Sequence, residues 1–320
     1  MADVITTWSD PRHVGPLYLV GGNRTPFLNL MGGLNGGNAR VVPQFDYAMS
    51  VKWSLSSASQ PAITETQSQT TAGYETSFDT EQEINTCQLY IRGAHVNDVA
   101  MANRGAIFED GSGNDLSRAG VNHLEDMLGF QMTGCLKQNA FDYNHVCLNG
   151  TYQQATAANV AAKTRGFQTA LTTNTVSGTG IDVTKANINQ LLHTMTYTNG
   201  APLDLPVIVT NGVQKTIIST LYGVQPRSWN VGGFNILTVQ TDFAELGVLL
   251  EPNMPLDEIF ILDMAHIRPV FCAHPSKGFM YVNERDTGGL ATAYDMVMFA
   301  GIDYGTEKYH GRIYNLKSTF

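Results

Sequence analysis

Apolar and polar residues alternate with a period of two near the start of the chain. The odd positions carry a continuous apolar series: Val41, Pro43, Phe45, Tyr47, Met49, Val51, Trp53 and Leu55. Most of the even positions between them are polar. Because successive side chains of a strand point to opposite faces, this alternation predicts one long strand with a single buried face. At about 3.3 Å per residue the strand would reach roughly 50 Å, which is longer than the core of a single domain.

A polar segment follows the predicted strand. Of the 27 residues from 54 to 80, 15 are Ser, Thr or Gln, so this segment cannot build a core of its own. Strand-like alternation resumes near residues 74–78 and again at Cys87, Leu89 and Ile91. The pattern predicts a long projecting β-hairpin with a polar tip. A bare apolar face on such a hairpin would promote aggregation, so a neighbouring subunit is expected to cover it.

The period changes to a helical one over residues 117–148. Apolar side chains there keep to one broad stripe, made of Val121, Leu124, Leu128, Met132, Cys135, Leu136, Phe141 and Val146. Asn149-Gly150 is expected to end the helix, since glycine tolerates the left-handed conformation. A helix of about thirty residues is nearly three times the usual length.

The remainder of the chain alternates shorter helices and strands. Helices are predicted at residues 187–197 and 213–222. Strands are predicted at residues 206–210, 235–240, 248–251, 259–263, 268–273, 279–283, 294–300 and 312–316. Together with the hairpin and the long helix, these elements predict an α+β fold.

The composition indicates that much of the surface is covered by something other than charge. Charged residues make up only 15% of the chain, and hydrophobic residues make up 43%. A typical soluble domain has roughly 25% charged residues. Neighbouring copies of the same chain are the simplest cover. The net charge of −9, without a basic run, argues against a protein that grips nucleic acid.

The cysteines and the apolar runs indicate a soluble protein that assembles in the cytoplasm. Cys87, Cys135, Cys147 and Cys272 lie far apart and form neither a CxxC pair nor a disulfide framework. Residues 1–10 lack the pattern of a signal peptide. The longest apolar run, residues 296–302, is far shorter than the roughly 20 residues that span a bilayer.

The sequence contains no motif that indicates catalysis or cofactor binding. GxGxxG, GxxxxGK[ST], GxSxG and HExxH are all absent. Cys272 and His274 have no second pair of ligands nearby, so we expect no metal site there. The acidic pairs are expected to serve a helix N-terminus (Glu125-Asp126) and a solvated strand (Glu81 and Glu83). We therefore expect no catalytic residue, no cofactor and no bound metal.

The order of the predicted elements resembles that of a known family, and local motifs support the likeness. These motifs are Thr25-Pro26-Phe27-Leu28, Phe141-Asp142-Tyr143, Leu148-Asn149-Gly150-Thr151-Tyr152, Ile267-Arg268-Pro269-Val270-Phe271, Lys277-Gly278, Gly301-Ile302-Asp303-Tyr304-Gly305 and His310-Gly311. In this order they are similar to the major capsid proteins of tailed bacteriophages, which have the Hong Kong 97-type capsid fold. The resemblance covers essentially the whole chain.

The resemblance implies a division of the chain. Residues 1–43 would form an N-terminal arm, and residues 44–85 an extended loop, which is the β-hairpin. A peripheral domain would combine residues 86–182 with 263–320 and contain the long spine helix at about 117–148. An α/β axial domain would comprise residues 183–262.

The resemblance also implies a structural role rather than an enzymatic one. The chain would assemble through pentamers and hexamers into an icosahedral head that encloses double-stranded DNA. Scaffold, portal and decoration proteins are the partners it implies, with assembly in the host bacterial cytoplasm and a final location in the virion. No long N-terminal scaffolding segment is present, so a scaffold would be a separate or a removed protein.

Four aromatic residues are the expected contacts between subunits: Phe27, Phe45, Tyr47 and Trp53. Buried aromatic side chains dominate the energetics of interfaces. Lys52 lies near the base of the hairpin rather than at its tip, so we expect no Lys–Asn crosslink between subunits. The alternatives are an encapsulin-type nanocompartment shell with protein cargo, an enzyme with a site in the axial domain, and a phage tail or decoration protein.

Overall fold

The computed structural model describes residues 25–34, 38–54, 79–97, 127–223, 228–231, 234–286 and 289–319. Its helices are α1 (Pro26–Leu30), α2 (Met127–Asn149), α3 (Phe167–Ala170), α4 (Lys185–His193) and α5 (Gly212–Tyr222). Its strands are β1 (Arg40–Val42), β2 (Asp46–Ala48), β3 (Lys52–Ser54), β4 (Asp79–Glu81), β5 (Ile84–Thr86), β6 (Gln88–Asn97), β7 (Thr175–Ser177), β8 (Pro206–Thr210), β9 (Ser228–Val231), β10 (Phe234–Gln240), β11 (Glu245–Leu250), β12 (Ile259–Asp263), β13 (Arg268–Cys272), β14 (Met280–Arg285), β15 (Ala291–Asp303) and β16 (Gly311–Tyr314). None of the described helices has both the length and the apolar character needed to cross a membrane.

A seven-stranded sheet has the order β7-β16-β12-β8-β11-β10-β9. Every residue of its central strands β8 and β12 is buried. Val207 and Val209 join one hydrophobic core, whereas Ile208 between them joins a second core on the other side of the sheet. A strand that is covered on both faces needs apolar residues at every position. This requirement explains the uninterrupted apolar runs that predicted these two strands.

Helices α4 and α5 supply residues of the second core, and both begin at a residue that caps them. Thr184 accepts a hydrogen bond from the backbone N–H of Asn187, and Asn211 accepts one from that of Gln214. Such caps satisfy N–H groups that the first turn leaves without partners. The predicted helix at 187–197 corresponds to α4 and the π-helical turn Thr194–Thr198 that continues it.

A five-stranded sheet is organised around the long strand β15. β13, β14 and β6 all pair with β15, and β1 adds to β13 in parallel. Helix α2 packs against β6 and β15 and ends at Asn149. A Cβ atom on Gly150 would lie only 2.5 Å from the carbonyl oxygens of Val146 and Thr164. Glycine is therefore required at this position because the backbone of the next segment passes directly beside the helix end.

The predicted long strand is instead three short strands with different partners, so this prediction was wrong in part. β1 pairs with β13, β2 with β5, and β3 with β4. The alternation of burial also shifts, because Val42 is buried whereas Val41 and Val51 are exposed. Pro43 follows β1 directly, and proline cannot donate a ladder hydrogen bond. The β2–β5 and β3–β4 ladders form the base of the hairpin, and its predicted tip lies outside the described residues.

The spine helix ends where the sequence predicts, but it buries a different face from the predicted apolar stripe. Residues 117–126 of the predicted helix lie outside the described part of the chain, and α2 is described from Met127. The buried positions are Asn139, Tyr143, Asn144, Cys147 and Leu148. Met132, Leu136, Phe141 and Val146 of the predicted apolar stripe are only partly buried. The buried Asn139 donates a hydrogen bond to the Met296 carbonyl, and the buried Asn144 donates one to the Glu251 carboxylate. These bonds allow polar side chains to occupy the core-facing side of the helix.

Two strands of the seven-stranded sheet come from outside residues 183–262, the expected axial domain. These strands, β7 and β16, hydrogen-bond to each other, and β16 pairs with β12. β7 and β16 lie about 85 and 50 residues away from β12 in the chain, although all three strands belong to one sheet. Local periodicity does not predict such distant pairings. The domain division itself stays a prediction.

Candidate subunit interface

One face of the five-stranded sheet carries exposed apolar side chains in neighbouring positions. On the paired strands β6 and β15, Leu89 lies directly opposite Phe299, and Ile91 lies opposite Val297. On the other side of β15, Tyr281 of β14 is paired with Val297. Directly paired residues point to the same face of a sheet. Leu89 and Ile91 are each 49% exposed.

Phe45 extends this exposed surface from the base of the hairpin. Its ring centroid is 5.2 Å from that of Phe299, and its side chain is 46% exposed. We call the set Phe45, Leu89, Ile91, Tyr281 and Phe299 the apolar sheet face. Contiguous apolar patches on a soluble protein mark surfaces that another molecule covers. This face is therefore the best candidate for a contact between subunits.

The four aromatic residues expected at subunit contacts are not equivalent in the structure. Phe27 is 0% exposed and packs edge-on against Phe167, with 5.9 Å between ring centroids. Tyr47 is 4% exposed, and its hydroxyl donates a hydrogen bond to the Ile302 carbonyl at 2.8 Å. Both side chains pack into the chain's own core, so as subunit contacts these two residues remain a prediction. Phe45 is half-exposed, and the side chain of Trp53 lies outside the described residues.

A buried carboxylate fixes the base of the hairpin to the end of β15. The Asp303 side chain is fully buried and lies 3.2 Å from the Arg40 guanidinium and 3.3 Å from that of Arg268. It also accepts a hydrogen bond from the Ser50 hydroxyl at 3.1 Å. Two cations compensate the cost of burying one carboxylate. We call Arg40, Ser50, Arg268 and Asp303 the loop anchor.

Neutral hydrogen bonds reinforce the loop anchor. Asn85 donates to the Ile302 carbonyl at 3.0 Å and accepts from the backbone N–H of Arg165 at 2.9 Å. The Thr164 hydroxyl donates to the Thr86 carbonyl at 2.8 Å. The hairpin base is thus held on both of its strands, next to the end of β15.

A second buried carboxylate holds α1 against the rest of the molecule. Glu251 accepts hydrogen bonds from the backbone N–H of Phe27 at 2.9 Å and from the Asn144 side chain at 3.0 Å. Asn144 in turn accepts from the backbone N–H of Leu28 at 2.9 Å. Burial raises the pKa of Glu251, although these hydrogen bonds act in the opposite direction. We call Glu251 and Asn144 the arm anchor.

Neither anchor was predicted from the sequence. Asp303 and Glu251 each follow a run of apolar residues, and a lone acidic residue in that position was the only signal available. Among the described residues, one group brings three potential metal ligands together, namely Asp204, Asp263 and His266, whose ligand atoms lie within 4.8 Å of one another. Cys272 and His274, the pair that the sequence brings to attention, do not belong to this group. Cys272 is buried, whereas His274 is exposed and contacts Ser276.

Solved capsid and encapsulin structures share this architecture along nearly the entire chain. The cyanophage A-1(L) capsid asymmetric unit aligns with a TM-score of 0.63 and 12% identity, covering 96% of this chain and 97% of that chain. The capsid of the native GTA particle aligns with a TM-score of 0.53 and 13% identity, covering 96% and 95%. The holo-SrpI encapsulin complex from Synechococcus elongatus PCC 7942 aligns with a TM-score of 0.59 and 9% identity, covering 98% and 94%. The fold is therefore the Hong Kong 97-type capsid fold.

The family assignment is more specific than the fold. A family model described as SU10 major capsid protein matches residues 3–317, and the chain belongs to this family. It is accordingly a structural protein of a bacteriophage capsid and is located in the virion. No curated protein sequence matches the chain.

Proposed function

We propose that copies of this chain form pentamers and hexamers that close into an icosahedral head around double-stranded phage DNA. The main support is the apolar sheet face, which is partly exposed in the single chain, together with the low charge of the chain, in which only 15% of the residues are charged. When another copy covers such a face, each Å² of apolar surface removed from water stabilises the complex by about 25 cal/mol. Repeated in every subunit, modest contacts add up through multivalency.

The hairpin and the N-terminal segment are the proposed connections between neighbouring subunits. The loop anchor holds the hairpin base, and the predicted tip is proposed to reach a neighbouring subunit. Phe45 at this base remains the proposed aromatic contact, and Trp53 further along β3 keeps that role as a proposal. Scaffold, portal and decoration proteins are proposed partners, with assembly in the host bacterial cytoplasm.

Electron microscopy of the purified chain, alone and with a scaffold gene product from the same phage, tests the proposal. We expect closed isometric shells, or rings of five and six subunits. A monodisperse monomer or dimer under both conditions would contradict it.

A nanocompartment shell with protein cargo is the second candidate, and the similarity to an encapsulin supports it. The phage capsid family favours the viral role. Nuclease-resistant DNA inside particles from infected cells supports a phage head, whereas a co-purifying protein cargo without DNA supports a nanocompartment.

A further inference from the structure

A carboxylate–histidine cluster lies at one end of the seven-stranded sheet. Asp263 is the last residue of β12, and His266 ends the short 3₁₀ helix that follows it, Met264–His266. Asp204 precedes β8, the neighbour of β12 in the sheet. We propose that Asp204, Asp263 and His266 bind a divalent transition-metal ion such as Zn²⁺.

The distances within the cluster fit ligands around an ion better than hydrogen bonds. His266 Nε2 lies 3.5 Å from Asp204 Oδ2 and 3.9 Å from Asp263 Oδ2. Ligands bound at about 2.0–2.2 Å from a zinc ion lie about 3–3.5 Å from one another. The three ligand atoms lie within 4.8 Å of one another, so binding an ion requires the side chains to close by up to about 1 Å.

The state of His266 Nε2 is an independent indication of a missing ligand. This atom is buried from solvent and has no hydrogen-bond partner, although the imidazole ring as a whole is one-third exposed. Buried polar atoms in native proteins nearly always have a partner. The nitrogen faces two carboxylate oxygens, and a cation between them would give all three atoms a partner.

Asp263 is held in position before any ion arrives. One of its carboxylate oxygens accepts the backbone N–H groups of Leu205 at 3.0 Å and Ala265 at 3.2 Å. The other oxygen, Oδ2, accepts one hydrogen bond from the described residues, from the N–H of Asp204 at 3.0 Å. Because a carboxylate oxygen has two lone pairs, Oδ2 retains one for a metal. Such outer hydrogen bonds orient the ligands of metal sites.

The ligand chemistry selects the class of ion, and the exposure of Asp204 leaves the site open. One imidazole with two carboxylates suits zinc and similar borderline ions, whereas Ca²⁺ and Mg²⁺ prefer sites made only of oxygen. The Asp204 side chain is 59% exposed, so water can complete the coordination. The His266 ring also packs against Tyr309, at 4.8 Å between centroids. A bound ion would link the segment before β8 to the end of β12.

Metal titration of the full-length chain tests this proposal independently of shell assembly. The chain is first dialysed against EDTA, and Zn²⁺, Mg²⁺ or Ca²⁺ is then added in separate calorimetric and thermal-unfolding experiments. We expect one Zn²⁺ per chain and a rise in Tm with Zn²⁺ only, because an ion that binds the folded state alone stabilises it.

Three variants separate this site from other zinc-binding groups. Asp204→Asn and His266→Gln are expected to weaken Zn²⁺ binding at least tenfold and to abolish the rise in Tm. Asp182→Asn, at another exposed carboxylate, is the control and is expected to behave like the parent. Absence of zinc binding to the parent, or unchanged binding by both site variants, would overturn the proposal.

Discussion

At the residue scale, Glu251 is a carboxylate whose role is set by burial rather than by its position in the sequence. Burial raises its pKa above the ordinary value of 4.5. The folded chain therefore binds this proton more strongly than the unfolded chain does. The resulting stabilisation is fully present below pH 4.5 and is lost as the pH rises through the raised pKa.

We predict that Glu251→Gln removes this pH dependence and weakens the arm anchor. A glutamine offers one acceptor oxygen, whereas Glu251 accepts hydrogen bonds on both oxygens, from Phe27 on one and from Asn144 on the other. The variant should lose about 1–3 kcal/mol at pH 4.5. Urea unfolding at a series of pH values measures the difference from the parent. This difference should shrink with increasing pH, and parallel curves would show that Glu251 is not responsible.

The cysteines differ in their accessibility to reagents. Burial raises the pKa of the Cys87 and Cys147 thiols and makes them poor nucleophiles. Cys272 is buried as well, whereas Cys135 is partly exposed on α2. We predict that a maleimide modifies Cys135 first in the unassembled chain and that Cys135→Ser abolishes the fast reaction. The other three thiols should react only after unfolding in urea, as mass spectrometry can show.

At the element scale, the loop anchor holds the base of the hairpin. We predict that Asp303→Asn destabilises the chain by about 2–4 kcal/mol, because it leaves Arg40 and Arg268 beside each other without the buried carboxylate. Both arginines are partly exposed, so solvent screens part of their repulsion. Urea unfolding measures the loss.

The exposed ion pair between Arg92 and Asp142 provides the matched control. Asp142→Asn should change stability by no more than about 1 kcal/mol, since exposed pairs contribute little. Equal effects of Asp303→Asn and Asp142→Asn would argue against a special role for the loop anchor.

At the scale of the whole molecule, the apolar sheet face connects the fold to assembly. We predict that Leu89→Asp leaves the subunit folded but raises the concentration needed for shell formation at least tenfold. Burying one leucine contributes about 1.5–3 kcal/mol, and an interfacial aspartate adds a desolvation cost. Light scattering against protein concentration measures the threshold, and urea unfolding verifies the fold.

Val282→Asp is the control for the apolar sheet face. Val282 follows Tyr281 on β14 and is 40% exposed, but it points to the opposite side of the sheet. Its substitution should leave the assembly threshold close to that of the parent. If Leu89→Asp subunits assemble at the parent's threshold, the apolar sheet face does not lie between subunits.

The sequence by itself determined the bounds of those helices and strands whose residues are buried without interruption or at a regular spacing. The apolar runs of β8 and β12 fixed these strands at their observed bounds, and α5 was predicted to within one residue. The order of elements and motifs was sufficient for the resemblance to tailed-phage capsid proteins. These features are local in the chain, because periodicity and capping are read within about one turn or one strand.

The tertiary structure decided which partner each element takes and which face it buries. The strands β1, β2 and β3 take three different partners, and Asn139 and Asn144 occupy the core-facing side of α2. The contacts of the two anchors join residues far apart in the chain, such as Glu251 and Phe27, which are separated by 224 positions. A polar residue is stable in a core only when such a distant partner satisfies it, and local sequence patterns carry no information about that partner.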